Sequence, residues 1–148
     1  MQLIIPNLYL GDISSILYIS KEEKEKIKRV VNTAGELENF ANYPLDKYLH
    51  IPLKDDGTFE DLMVFNDSIR PFIKFMDAVK LEDSPVLIHC QMGMSRSCSM
   101  LAVYLLHKGI CKDFKSAVEY IVDKRPQAFH GGTITVYELP INEHFCAF

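Results

Sequence analysis

In the run HCQMGMSRS, residues 89 to 97, a cysteine follows a histidine and precedes an arginine by six positions. These residue types fit one chemistry. The thiolate of Cys90 is a soft nucleophile. The guanidinium of Arg96 is planar, always charged, and able to hold two phosphate oxygens at once. If the chain curls here between a strand and a helix, the backbone N–H groups of Gln91, Met92, Gly93, Met94, Ser95 and Arg96 converge on one spot. The helix aims the positive end of its dipole at the same spot. Such a nest takes a tetrahedral oxyanion. Gly93 gives freedom in mid-loop, because glycine adopts positive φ without steric cost. The same field favours a thiolate, since helix N-termini and nearby cations lower a cysteine thiol from a pKa of about 8.5 to roughly 3.5–7.5. The pattern therefore points to attack of Cys90 on a phosphoryl group. Ser97 can donate a hydrogen bond to the sulfur and help it leave in a second step. His89 orients the loop backbone, and Ser95 shapes the loop. The Cys-x5-Arg spacing alone is a weak signal; the flanking His, Gly and Ser make it specific.

Such a loop needs a strand before it and a helix after it. VLI, at Val86 to Ile88, is an all-apolar run behind the breaker Asp83-Ser84-Pro85 and fits a buried parallel strand. SMLAVYLLHKG reads as a buried helix ending at Gly109. LIIP and LYLG flank a turn at Pro6-Asn7, and RVV (Arg29 to Val31) and YLHIPL (Tyr48 to Leu53) are further strands. Asp12 can cap a helix starting at Ile13, and KEEKEKIK is a charged helix with a solvated face. Phe65, Ile69, Phe72, Met76 and Val79 form one helical stripe, inside which Pro71 should kink the helix or open a second one. Asp113 can cap FKSAVEYIVDKR, which stops before Pro126. In HGGTITVYELPINEHFCAF the β-branched residues favour strand, while Pro140 argues against one long helix. The mixture implies an α/β fold, a central mostly parallel sheet flanked by helices. Ligands in such sheets bind at the carboxyl ends of the strands.

Composition narrows the classes. The 148 residues suit one domain, 48% hydrophobic and 24% charged, as in soluble globular proteins. A formal net charge of -4 lacks the basic surplus of a nucleic-acid binder. No apolar run approaches a membrane span, and MQLIIPNLYLGD has neither the basic start nor the long apolar core of a signal peptide. Cys90, Cys98, Cys111 and Cys146 include no C-x-x-C pair, and the histidines show no metal spacing. A reduced cytoplasmic or nuclear setting follows. Cys98 is open to two readings: a partner for reversible disulfide protection of Cys90, or a small buried apolar residue.

These residues resemble the dual-specificity branch of the cysteine-based protein tyrosine phosphatases. The family loop reads H-C-x-x-G-x-S-R-S, and His89, Cys90, Gly93, Ser95, Arg96 and Ser97 match it. IIPNLYLGD, IKRVVNTAGELENF, YLHIPLKD and AVYLL are similar to other family segments, so the resemblance spans nearly the whole chain. It implies a cysteine-phosphatase fold over residues 1–148 and a phosphoprotein substrate. It also implies hydrolysis of phosphotyrosine, phosphoserine and phosphothreonine through a phosphocysteine. Neither metal nor cofactor is required, and no nucleic acid or membrane partner is expected. A general acid is also implied, in the loop after the I-P strand. In KDDG the matching position is Asp55, with Asp56 as rival and capping of the next turn as the other use of one or both. Met92 and Met94 depart from the usual loop, either lining the rim or packing beneath it. QAFHGGTITVYELPIN departs from the family's Asn-Phe bracing segment, which leaves that brace open. A phosphoinositide or RNA 5′-phosphate substrate, a phosphoprotein-binding module and a thiol-redox or arsenate-type enzyme are the rival readings. The oligomeric state is open.

Overall fold

A computed structural model describes residues 1–132 and 135–145. Strands β1 (Gln2–Ile5) and β2 (Leu8–Gly11) pair antiparallel. Asn7 takes a left-handed φ of 67° in the turn between them, as its short polar side chain permits. Strands β3 (Arg29–Ala34), β4 (Tyr48–Leu53) and β5 (Val86–His89) complete the sheet in the order β1-β2-β5-β3-β4. The pairs β2/β5, β5/β3 and β3/β4 are all parallel, the mostly parallel sheet that the sequence implies. All four residues of β5 are buried, which accounts for its unalternating apolar sequence. Successive side chains still point to opposite faces. Val86 and Ile88 enter the larger core, and Leu87 enters a smaller core with Ile16 and Val30.

Helix α1 (Ile13–Leu17) is capped by Asp12, and α2 (Lys21–Lys26) by Ser20 with Glu23 in a capping box. Helix α2 buries nothing, as its charges predict. Helix α3 (Phe59–Asp77) buries Phe65, Ile69, Phe72 and Met76. Its stripe ends there, since Val79 lies beyond the helix and is exposed. Pro71 does not open a second helix. The chain stays helical through it because Pro71 sits on the exposed face, where solvent can satisfy the backbone group it leaves unpaired. Helix α4 (Arg96–His107) is buried from Arg96 to Leu105, with each fully buried aliphatic side chain contributing roughly 1.5–3 kcal/mol. Helix α5 (Phe114–Lys124) starts at the Asp113 cap, as expected.

The C-terminal stretch corrects the sequence reading. No strand forms there among the described residues. A short turn α6 (Phe129–Gly132), broken by positive φ at His130 and Gly131, is followed by helix α7 (Glu138–Phe145). Pro140 is tolerated as the third residue of α7, where the backbone N–H has no intrahelical partner to lose. Cys146 lies outside the described residues. No helix among them is long and apolar enough to cross a membrane.

Candidate active site

Parallel strands end on the same side of a sheet. Here the ends of β2, β3, β4 and β5 deliver Asp12, Glu36, Asp55 and Cys90, each within two residues of its strand. The loop from Cys90 to Ser95 then turns into α4. Its carbonyls are tied from outside. Gln91 O accepts Ile13 N–H at 3.0 Å, and Ser95 O accepts Ser99 N–H at 2.8 Å. Gly93 O accepts Arg125 Nε–H at 2.9 Å, Met92 O lies 3.4 Å from Arg125 Nη2, and Met94 O accepts Phe129 N–H. A peptide N–H points opposite to the carbonyl it is bonded to. Outward carbonyls on Gln91, Met92, Gly93 and Met94 therefore turn the next N–H groups inward, which is the geometry of an anion nest. Gly93 has φ 67°, and a Cβ there would lie 2.5 Å from Arg125 Nη2, so both conformation and space require glycine.

Cys90 is 2% exposed at the centre of this ring. Its Sγ receives Gly93 N–H at 3.1 Å and lies 3.1 Å from Ser97 Oγ. Ser97 thus stands where it can donate to the sulfur. His89 is fully buried behind the loop, its Nδ1 3.4 Å from Cys90 O. Burial pushes its imidazole down to about 4, so the ring is neutral near pH 7. Cys98 faces the other side of the same glycine, its Sγ–H 3.4 Å from Gly93 O. Burial, with the nearby Cys90 sulfur, pushes its thiol up to about 12. That environment favours the buried apolar use of Cys98. Met92 is 60% exposed on the rim, while Met94 is half-buried.

Arg96 is held by Glu36. Nη1 donates to Glu36 Oε1 at 2.6 Å and to Leu53 O at 3.0 Å, and Nη2 donates to Glu36 Oε2 at 3.0 Å. Among the described residues this leaves Nε–H and the second Nη2–H, which lie side by side and form a second fork. Burial opposes the guanidinium charge, but the Glu36 hydrogen bond and the Cys90 sulfur outweigh it and raise its pKa.

The two candidate acids differ sharply. Asp55 is half-buried with φ 60°, and Asp56 is exposed. Burial raises the Asp55 carboxyl above its usual range, opposed by a hydrogen bond from Ser95 and the charge of Arg96, and aided by Asp61. Those partners place Asp55 beside the phosphate loop. Asp56 Oδ1 instead accepts Thr58 N–H at 3.0 Å and Thr58 Oγ–H at 2.7 Å, which hold its carboxyl below the usual range. It serves the turn before α3, the capping use foreseen for one of the pair.

The open brace is filled by residues that no motif flags. Arg125, in the Lys-Arg-Pro turn, grips Gly93 O, and its Nη2 lies 3.9 Å from Asp12. Thr135 Oγ1 accepts from Ser99 Oγ at 3.0 Å and lies 3.2 Å from Ser95 Oγ. Arg125 could have been suspected as a basic residue next to a helix-ending proline. Glu36, Thr135, Asp61 and Tyr137 carry no local signal. Among the described residues no group of three His, Cys, Asp or Glu could hold a metal ion.

A buried thiol in an anion nest, an arginine fork and a neighbouring carboxyl group suit phosphoryl transfer. The chain matches the model of the family "Dual specificity phosphatase, catalytic domain" over residues 8–134 and belongs to that family. It is 28% identical over 122 residues to Protein phosphatase Slingshot of Drosophila melanogaster, covering 82% of this chain and 11% of that protein. It is 32% identical over 102 residues to Dual specificity protein phosphatase OPG106 of Vaccinia virus, covering 69% of this chain and 56% of the relative. The crystal structure of human DUSP28 superposes with a TM-score of 0.74 at 17% identity, covering 97% of this chain and 94% of that one. The chain thus spans less than two thirds of each curated relative named here.

Proposed function

We propose that residues 1–148 form a catalytic domain that hydrolyses phosphate monoesters on tyrosine and on serine and threonine of phosphoproteins. The observation that carries this is the seat of Cys90 Sγ. It lies within a ring whose carbonyls point outward, and it interacts electrostatically with the Arg96 guanidinium. A phosphoryl group in that ring meets converging N–H donors and a guanidinium, and the sulfur lies beneath it. In the first step the thiolate of Cys90 forms an S–P bond as the ester P–O bond breaks. Asp55 gives its proton to the leaving oxygen, so alcohol or phenol departs neutral. In the second step Asp55, now ionised, takes a proton from water. The water oxygen bonds to phosphorus, the S–P bond breaks, and the hydrogen bond from Ser97 stabilises the departing sulfur. Arg96 and the loop N–H groups carry the phosphoryl charge through both steps, the dominant stabilisation. His89 is read as positioning the loop, since it is buried and neutral.

The free thiols of Cys90, Cys98 and Cys111 suit a reducing compartment, the cytoplasm or the nucleus. Phosphate release from phosphotyrosine, phosphoserine and phosphothreonine peptides, run beside an aryl phosphate and a phosphoinositide, tests the proposal. Turnover of the peptides is expected. Turnover of the phosphoinositide alone would replace the protein substrate, and none on any substrate would leave a binding module.

A further inference from the structure

The acid loop is built from parts distant in sequence. Asp55 adopts a left-handed backbone, which a residue with a side chain keeps only when its surroundings fix it. Three contacts do so. Asp61 Oδ1 accepts Lys54 N–H at 2.7 Å and Asp61 Oδ2 accepts Asp55 N–H at 3.0 Å. The Tyr137 hydroxyl works in both directions, accepting the same Asp55 N–H at 2.9 Å and donating to Asp61 Oδ2 at 2.6 Å. Asp61 is 3% exposed and Tyr137 0% exposed, so water is not at hand to replace either partner. The Tyr137 ring stacks on Phe65 of α3 with centroids 4.5 Å apart, which holds the phenol in place. Two residues earlier, Thr135 Oγ1 meets Ser95 and Ser99 and also accepts Tyr137 N–H at 3.3 Å. One short segment therefore reaches the acid loop with its phenol and the phosphate loop with its hydroxyl.

We infer that Tyr137 is a positioning residue for the general acid: its hydroxyl, together with Asp61, fixes the Asp55 backbone, while Thr135 ties the same segment to the phosphate loop. The nucleophile and the acid are thereby set in register by chain beyond Phe129. This rests on the reading of Asp55 as the acid.

A double-mutant cycle tests it, because a residue acting only through Asp55 has nothing to act on once Asp55 is removed. Tyr137→Phe deletes the hydroxyl and keeps the ring. The measurement is kcat/KM for an activated aryl phosphate and for an alkyl-like phosphate, in wild type, Tyr137→Phe, Asp55→Ala and the double variant. Tyr137→Phe is expected to raise the activated-to-unactivated ratio roughly tenfold, part of the 10²–10⁴ that a positioned acid supplies. In the Asp55→Ala background it is expected to change that ratio by nothing further. A loss equal on both substrates, or one that adds to Asp55→Ala, would overturn the inference while leaving the acid in place. An Asp55→Ala protein with the wild-type ratio would overturn the acid assignment itself, and the inference with it. If Tyr137→Phe does not fold, Asp61→Asn takes its place in the same cycle with the same expected ratio.

Discussion

The phosphate loop and the acid loop stand side by side and are built in opposite ways. Cys90 to Ser97 is one continuous stretch in which nearly every residue has a use, and main-chain carbonyls turned outward give it its shape. Lys54 to Gly57 contributes a single carboxyl group, and side chains 6 and 82 residues away hold its backbone. On the proposed reading, the first binds what all substrates would share, a phosphoryl group, and the second touches the part that differs, the leaving oxygen. Damage to the first is therefore expected to fall on every substrate alike, and damage to the second to depend on how much the leaving group needs a proton.

The largest effect that can test this contrast is Cys90→Ser, which should abolish turnover while calorimetry still detects binding of an inorganic oxyanion such as tungstate. Arg96→Lys should come next, lowering kcat/KM by roughly 10²–10³ on activated and unactivated esters equally, because an ammonium cannot supply the planar fork. If instead its loss followed the leaving group, the division between the loops would fail. Asp55→Ala should cost roughly 10² on alkyl-like phosphates and far less on activated aryl phosphates. On the proposed scheme the rate needs the thiolate together with a protonated Asp55. Burial raises the Asp55 carboxyl, so its loss of protonation comes later as pH rises. A bell-shaped profile with its optimum on the acidic side of neutral is expected, and a rate still climbing at pH 9 would contradict the scheme.

His89 provides a pH test of the fold itself. Its folded pKa, about 4, lies below the unfolded value of about 6.5, so the unfolded chain takes the proton first. Its contribution is fully present above pH 6.5 and is lost as pH falls through the window down to about 4, by roughly 3 kcal/mol. Denaturant titrations of wild type and His89→Asn across that window should diverge by this amount, and parallel curves would refute it. The smallest effect belongs to Asp56→Ala, which should stay within about twofold on every ester, as exposed positions usually do. A leaving-group-dependent loss there would exchange the roles of the two aspartates.

Most of the sheet was legible because strands buried on both faces, such as Val86 to His89, announce themselves as apolar runs, and because Asp12 and Asp113 are short-range caps. The β-branched residues that favour strand in HGGTITVYELPINEHFCAF form none among the described residues, for a physical reason. β-branched composition describes what a strand accepts, whereas packing of Tyr137 on Phe65 and of Ile141 in the core decides what this segment does. At Pro71 the second-helix alternative failed, because on the exposed side of a long helix solvent can satisfy the backbone group that the proline leaves unpaired.

The sequence by itself determined the candidate nucleophile, the candidate phosphate loop and the strand–loop–helix frame around them. These depend on neighbours along the chain, where spacing maps directly onto geometry. The family spacing already favoured Asp55 over Asp56, and the tertiary structure added their different surroundings, because adjacent aspartates differ most in what folds over them. Only the tertiary structure supplied Glu36 behind Arg96, Arg125 beneath Gly93, and the Asp61–Tyr137 pair under the acid loop. Each is a contact between segments joined by no periodicity, made where parallel strands end together and remote chain closes over them.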